Sequence, residues 1–430
     1  MSASNSRSER LNVLLPTLGS AGDVHPFISL GLALVARGHR ATVFTSPLFR
    51  ERIEDLGLGF EPVGTREEAE AIFADPGLWQ PVGGLKVVAR RVIVPSMARV
   101  HELITAHAAP DTVVAASSLA FGARIAQEKL GIPTATVHLQ PGVMRSLVDH
   151  GMAGNIRISA AQPMWLKKAF FRLVDGVLVD RILAGPVNRF RAVHGLPPVS
   201  RVFHRWMHSP QLVLGMFPDW FAPLQPDWPA HTHLVGFPLW DGGGGMTIPA
   251  EAERFLSAGP PPVVFTAGSA VATLPCFFRE SVEAAQRAGV RAMLVTNFPD
   301  QIPRELPRSV ASFGYLPFSK VLPRAAAFVH HGGIGTLAQA IKAGVAHLVV
   351  PNAHDQFDNG WRIEQLGLGR CLPQSRYRSE RVAELLRAIE EDGRMKARCR
   401  EYASRVDAVA AINRACDLLE ELGAKGRARG

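Results

Sequence analysis

The run His330-His331-Gly332-Gly333-Ile334-Gly335-Thr336 has the residue types needed to face an anion. It follows an apolar stretch at 326–330 and leads into a helical pattern after Thr336. A strand, a glycine loop and a helix start together present free backbone N–H groups and the positive end of a helix dipole, which suits a phosphate. Glycines let a diphosphate approach the main chain closely. Thr336 adds a hydroxyl donor and His331 a ring donor. Read without a ligand, the same residues make an ordinary tight turn. Further on stands Pro351-Asn352-Ala353-His354-Asp355-Gln356-Phe357-Asp358-Asn359. Its adjacent Asp355 and Gln356 can accept and donate hydrogen bonds to vicinal hydroxyls. Taken alone, this too reads as a solvated turn.

Positioning such loops requires strands that deliver them. Residues 11–16, 40–45, 112–116 and 134–138 read as buried strands, with helical stretches at 26–37, closed by Gly38, and around 119–130. The alternation predicts a parallel sheet covered by helices on both faces. Between 218 and 245 the chain carries Pro218, Pro223, Pro226, Pro229 and Pro238 and ends in Gly242 to Gly245, a density that resists helix and central strand. A second series follows at 262–267, 291–296, 326–330 and 347–351, with terminal helices at 380–390 and 395–421. The expectation is an α/β protein of two doubly wound, Rossmann-like domains. Residues 11–217 form the first, 218–261 a linker, 262–394 the second and 395–430 a C-terminal helix and tail; residues 1–10 are disordered. Ligands bind at the carboxyl ends of strands in such sheets, so the loops at 19–25 and 330–336 should face one another across a cleft.

Bulk properties narrow the chemistry. A chain of 430 residues exceeds one comfortable core. At 47% hydrophobic and 20% charged it is ordinary globular material. The four cysteines have no CxxC spacing and no Asp-x-Asp occurs, so neither a zinc cluster nor a metal bridging a diphosphate is expected, and no cofactor. The GSAGD turn lacks GxGxxG, and the second strand ends in Thr45-Ser46-Pro47 without an acid for a ribose, which argues against a nicotinamide enzyme. His204 and His208 lie four apart but lack the glutamate of HExxH. A net charge of +9 favours anionic partners, here nucleotide phosphates or an anionic membrane face; no nucleic-acid module is present. No secretory signal or bilayer-spanning run is visible, so the expected location is the cytoplasm, with peripheral contact at the inner face of the cytoplasmic membrane. That contact would come from residues 165–178, where Trp165, Leu166, Ala169, Phe170, Leu173, Val174, Val177 and Leu178 recur at helical spacing among Lys167, Lys168 and Arg172, with Phe171 beside them. The same spacing fits an amphipathic helix packed on the core, or one that takes an acyl chain.

The two loops, in this order and preceded by Gly314-Tyr315-Leu316-Pro317, resemble the donor signature of the UDP-glycosyltransferase superfamily, which has the GT-B fold. The resemblance implies that Tyr315 stacks on the nucleobase and that His331, with Gly332, Gly333, Gly335 and Thr336, meets the diphosphate. It also implies that Asp355 and Gln356 hold the sugar, and that Thr266 to Ser269 approach the phosphates. Gly19-Ser20-Ala21-Gly22-Asp23-Val24-His25-Pro26 is similar to the family's first loop, which aims a catalytic base at the acceptor. Many members carry Gly-His-x-x-Pro there. Asp23 takes that histidine's place, as in a bacterial branch that uses aspartate, and His25 is the second candidate; Ser20 would stand beside the donor. A narrower likeness runs through Arg205 to Gln211, Phe217 to Pro223, Asp227 to Pro229 and Gly236 to Gly242, and is to the chain-B type rhamnosyltransferases of rhamnolipid biosynthesis. It implies an inverting transfer from dTDP-L-rhamnose to a 3-(3-hydroxyalkanoyloxy)alkanoate, giving a mono-rhamnolipid. The rival expectations are a same-fold transferase using another donor, such as UDP-glucose, on a sterol or natural product, and a non-catalytic partner of a true transferase.

Overall fold

The computed structural model describes residues 10–428 apart from 81–82, 150, 154–155, 160, 243–245 and 269–274. The stretch expected to be disordered, residues 1–10, lies outside them except for Arg10. The first sheet takes β1 (Asn12–Pro16), β2 (Arg40–Thr45), β3 (Gly59–Pro62), β4 (Thr112–Ser117) and β5 (Thr134–His138). After a small antiparallel hairpin, β6 (Gly151–Ala153) with β7 (Ile156–Ile158), it adds β8 (Leu212–Gly215) and β9 (Thr232–Leu234). Its order is β3-β2-β1-β4-β5-β8-β9, with every pairing parallel. The second sheet runs β12 (Val310–Phe313), β11 (Ala292–Val295), β10 (Val263–Thr266), β13 (Ala327–His330), β14 (His347–Val349) and β15 (Gly369–Cys371), again all parallel. The central strands are short apolar runs buried on both faces, as sheets covered by helices require, and the edge strands are partly exposed. In each sheet the chain order reverses beside its first strand, β1 or β10, and a crevice opens at that point.

The stretch 218–261 is not all connector. It holds β9, the edge strand that completes the first sheet, and the helix Ala250–Ser257, whose Ala252 and Leu256 pack with Val264 of the second domain. Proline excludes central strands but leaves an edge available. The C-terminal region divides as well. One helix, Gly393–Arg405, packs Met395, Cys399 and Tyr402 on the second domain. The chain breaks at Val406 and Asp407, whose carboxylate caps the next helix by accepting from Ala410 N at 2.9 Å. That last helix, Ala408–Arg427, returns to the first domain and buries Ile412, Leu419 and Leu422 against Leu11 and Val13. Each such leucine contributes roughly 1.5–3 kcal/mol.

The first helix, α1 (Ala21–Ala36), starts five residues before the stretch read from the sequence. Pro26 invites a helix start, since it lacks an N–H. Here Ser20 is the N-cap instead, and Pro26 sits inside with no N–H to offer the preceding turn. The 165–178 stretch is helical, but α2 (Met164–Leu173) continues through a widened π turn, Val174–Val179, into α3 (Asp180–Val193). Its polarity is the reverse of a basic outer stripe at one position. Lys167 is 5% exposed and donates to the Leu147 carbonyl, whereas Trp165 is 70% exposed and Leu173 62%. A lysine can turn inward at this cost because a backbone acceptor receives it. No helix among the described residues is long and apolar enough to cross a membrane.

Candidate active site

Two helix starts converge at the crevice. The chain leaves β1 through Gly19 and enters α1, and leaves β13 through Gly332 and Gly333 to enter α4 (Ile334–Ala343). A Cβ added to Gly335 would lie 4.0 Å from Gly22 Cα, so the two N-termini almost touch across the domain boundary. Both present unpaired N–H groups and a positive dipole end to the same space. The cleft between them has a volume of about 1680 Å³ and is lined by Asp23, His331, Thr336, Asp355 and Gln356 together. The loops at 19–25 and 330–336 thus do face each other.

Asp23 is the third residue of α1, on its first turn and not in a free glycine turn. Its Oδ2 accepts from Ser20 N at 2.8 Å and Ser20 Oγ at 3.1 Å. Ser20 is therefore occupied in holding Asp23. This fold-back needs Gly19, which has φ +129°, and where any Cβ would stand 2.3 Å from Asp23 Oδ2. Burial raises the Asp23 pKa above the usual carboxylate value, against the two bonds from Ser20. His25 goes elsewhere. Two residues along a helix turn about 200°, so its ring leaves by the opposite face. It packs edge-on to Trp240 at 4.7 Å and lines a separate, smaller cavity of about 140 Å³. Burial there pushes its pKa down to about 4.

Tyr315 lines that smaller cavity too, with its hydroxyl donating to the Asp241 carbonyl at 3.2 Å. The cavity has aromatic walls, with Arg52 over the Trp240 ring at 4.9 Å, and Thr336 lines both cavities. A planar base would fit there, next to a diphosphate at the helix starts. Thr266 is buried and its hydroxyl accepts from Gly268 N at 3.2 Å, so it shapes the loop. Ser269 lies outside the described residues.

His331 stands between glycines. A Cβ on Gly333 would come within 2.4 Å of its Nε2, and one on Gly268 within 2.9 Å of Cε1. Its Nδ1 is buried without a partner, and burial pushes its pKa down to about 4, so the ring is neutral at pH 7. Gly332 is not free to meet a ligand: its N–H donates to His330 Nδ1 at 3.1 Å. We expect His331→Ala to weaken nucleoside diphosphate binding about tenfold or more, the worth of one hydrogen bond to a charged acceptor. Calorimetry with the free nucleotide checks this; unchanged affinity would remove His331 from the phosphate site.

Asp355 and Gln356 divide their work. Gln356 Oε1 accepts from Asn352 N at 2.8 Å and Ala353 N at 3.0 Å, which leaves only its amide NH2 for a ligand. Asp355 Oδ2 accepts from Asn359 Nδ2 at 2.6 Å, and the same amide donates to the Gly332 carbonyl at 2.9 Å. Asn359 thereby ties the hydroxyl-binding loop to the glycine loop. Burial, opposed by Asn359 and reinforced by the Asp23 charge, raises Asp355 to about 7. Both carboxylates line the same cleft.

The cleft also has apolar walls, part of them built by π turns that periodicity did not announce. Three π turns, Val88–Ile93, Val174–Val179 and Val202–Trp206, contribute to it through residues including Val92, Val177 and His204. Such turns widen a helix locally and recur at functional sites. Phe170 and Phe171 line the cleft, with Arg145 stacked 4.5 Å over Phe171; Trp165 does not line it. One cross-domain fastening was likewise invisible in the sequence. On α5 (Gln356–Gln365), Arg362 pairs with Asp149 at 2.5 Å and with Asp358 at 2.8 Å, while Asp358 accepts from Met152 N at 2.9 Å.

Known proteins resemble this chain in sequence and in fold. Residues 13–148 match the glycosyltransferase family 28 N-terminal domain, and residues 285–415 the erythromycin biosynthesis protein CIII-like C-terminal domain. An O-mycaminosyltylonolide 6-deoxyallosyltransferase from Streptomyces fradiae is 29% identical over 430 residues, covering 96% of this chain and 97% of its own. Among solved structures, the glycosyltransferase of kitacinnamycin superposes with a TM-score of 0.72 at 20% identity, over 96% of this chain and 99% of that one. A spinosyn rhamnosyltransferase complexed with thymidine diphosphate gives 0.67 at 19%, over 95% and 100%. The structural likeness establishes the GT-B fold, and the domain matches support glycosyl transfer from a nucleotide sugar.

Proposed function

We propose that this chain, a glycosyltransferase of GT-B fold, moves L-rhamnose from dTDP-L-rhamnose to the hydroxyl of an acidic lipid, a 3-(3-hydroxyalkanoyloxy)alkanoate, with inversion. Asp23 is the base, His331 and the two helix starts receive the diphosphate, Tyr315 meets the base of the nucleotide, and Asp355 holds the sugar. The observation that carries the acceptor reading is the cleft itself. Besides Asp23 it is lined by apolar side chains, among them Phe73, Leu78, Val88, Phe171, Val174 and Leu178. A volume of about 1680 Å³ exceeds what a nucleotide sugar alone needs and leaves room for acyl chains. The thymidine nucleotide and the rhamnose are supported by the sequence likeness described above and by the spinosyn neighbour.

The cleft's charged side chains bear on the acid head. Arg91 faces Asp75, Arg99 faces Glu102, Arg145 faces Asp175 and Arg362 faces Asp149. Among the described residues Arg90 lines the cleft with no such partner. A carboxylate acceptor would supply one. Arg90→Ala should raise the acceptor KM about fivefold, equivalent to roughly 1 kcal/mol for a solvent-accessible ion pair. The methyl ester of the acceptor should be unaffected, and equal shifts for acid and ester would sink the assignment. The reading as a whole is tested by incubating the protein with dTDP-L-rhamnose or UDP-glucose over hydroxylated lipids and macrolide aglycones, with product mass as readout. A glycosylated macrolide and no glycosylated lipid would replace it with the natural-product reading, which the Streptomyces fradiae relative favours.

A further inference from the structure

Two further side chains, Trp79 and His354, line the cleft beside Asp355. Trp79 closes the turn Pro76–Trp79 of the first domain and lines the cleft. Its indole Nε1 is buried with no hydrogen-bond partner. A buried indole N–H is ordinarily bonded, so an unpartnered one on a residue that lines a ligand cavity marks a missing acceptor. The second is His354, which immediately precedes Asp355. It holds φ at +56°, a left-handed conformation that suits glycine and strains a histidine. Strain of this kind persists where the side chain is needed. The His354 ring lies edge-on to Trp79, with centroids 6.1 Å apart. Gly84, in the same segment as Trp79, makes room for it: a Cβ there would stand 2.8 Å from His354 Cε1. The contact crosses from the second domain to the first, one residue from the carboxylate assigned to the sugar.

We infer that Trp79 and His354 form a cross-domain clamp on the donor pyranose, in which the Trp79 indole N–H donates to a sugar hydroxyl oxygen and His354 holds the Trp79 turn in place. The inference rests on the donor site proposed above. Its chemistry is complementary to that site. Asp355 accepts from hydroxyls on one side, and Trp79 supplies a donor from the other. An indole face also covers a pyranose ring well, since it is flat and apolar with one polar edge. The sugar is then gripped only when both domains contribute, and the first domain takes part in choosing the donor as well as the acceptor.

The test uses two variants that separate side chain from backbone. Trp79→Phe keeps the aromatic ring and removes the N–H. His354→Gly keeps the left-handed backbone, relieves its strain and removes the ring. With dTDP-L-rhamnose as probe, each should raise the sugar-nucleotide KM by roughly 3- to 10-fold, the range for one neutral hydrogen bond. Affinity for free dTDP should stay at the native value. His354→Gly should melt no lower than the native chain, and both variants should release more free sugar by hydrolysis for each transfer. Native KM in Trp79→Phe, or equal weakening of sugar nucleotide and free dTDP, would overturn the clamp. If the native protein bound neither dTDP-L-rhamnose nor UDP-glucose, the donor site itself would fail, an outcome the variants cannot mimic.

Discussion

Asp23→Asn is expected to fold, to bind the sugar nucleotide normally and to lose transfer by roughly 100- to 10,000-fold, the usual worth of general-base assistance. An acceptor alcohol is a poor nucleophile until its proton has somewhere to go. Asp23 lines the cleft between two helix starts, where developing negative charge on the diphosphate is also received. Its Oδ2 is held twice by Ser20, and no hydrogen bond to Oδ1 is made among the described residues. One oxygen is thus fixed and the other left for a substrate. Burial raises its pKa toward the working range, as a base near neutrality requires. Asparagine retains the shape and can still face Ser20, but cannot take a proton. The control is His25→Ala, whose ring lines the other cavity beside Trp240 and Tyr315 and should cost far less in single-turnover transfer at saturating donor. A dead His25→Ala with an active Asp23→Asn would reverse the assignment.

The second large effect is expected at Asp355. Asp355→Asn should lower kcat/KM for the sugar nucleotide roughly 100-fold or more, as hydrogen bonds from two hydroxyls to a charged acceptor contribute about 1.5–3 kcal/mol each. Binding of the free nucleotide should be nearly intact, because the carboxylate lies on the loop after β14 and not on the phosphate loop. The native pH profile carries the same information. With Asp355 raised to about 7, the carboxylate is protonated below that pH and ionised above it. Sugar-nucleotide affinity should therefore fall as pH drops through 7, and Asp355→Asn should lose this dependence. Stability moves the other way. A native pKa above the unfolded value means the folded state holds its proton longer, so stability is present at low pH and is lost as pH rises toward and through 7. Above pH 7 the asparagine variant should melt higher than the native chain. A flat affinity profile for the native protein would show that the carboxylate is not the hydroxyl acceptor.

How far the sequence foretold all this depends on whether the information was local. The strands at 40–45 and 134–138 coincide with β2 and β5, since a short apolar run between turns carries its own signal. The glycine loop after β13 was equally legible, because strand, glycines and helix start are contiguous. What failed was set by side chains that fold back on the local chain and by distant partners. The helix start moved to Ser20 because Asp23 reaches back to it through the space at Gly19. Lys167 turned inward because the Leu147 carbonyl awaited it. The Gln356 carbonyl was spent on its own loop, and the separation of His25 from Asp23 follows from helical geometry only once the helix start is right. Arg362 and Asp149 are 213 positions apart, and no spacing rule relates them.

The two crossings between the domains have a mechanical meaning. The chain passes from first to second domain between β9 and Ala250–Ser257, and returns between Gly393–Arg405 and Ala408–Arg427. One connection would act as a swivel, free to twist and to bend in any direction. Two separate connections behave like the pins of a door: they define an axis, permit opening about it and resist torsion and sideways sliding. The last helix is anchored by apolar burial and by Arg37 to Asp417 at 2.7 Å, so the second pin does not work loose. Opening along that single coordinate would return the Arg362–Asp149 pair and the helix starts to the same register, so a site split between two bodies would reassemble along one path.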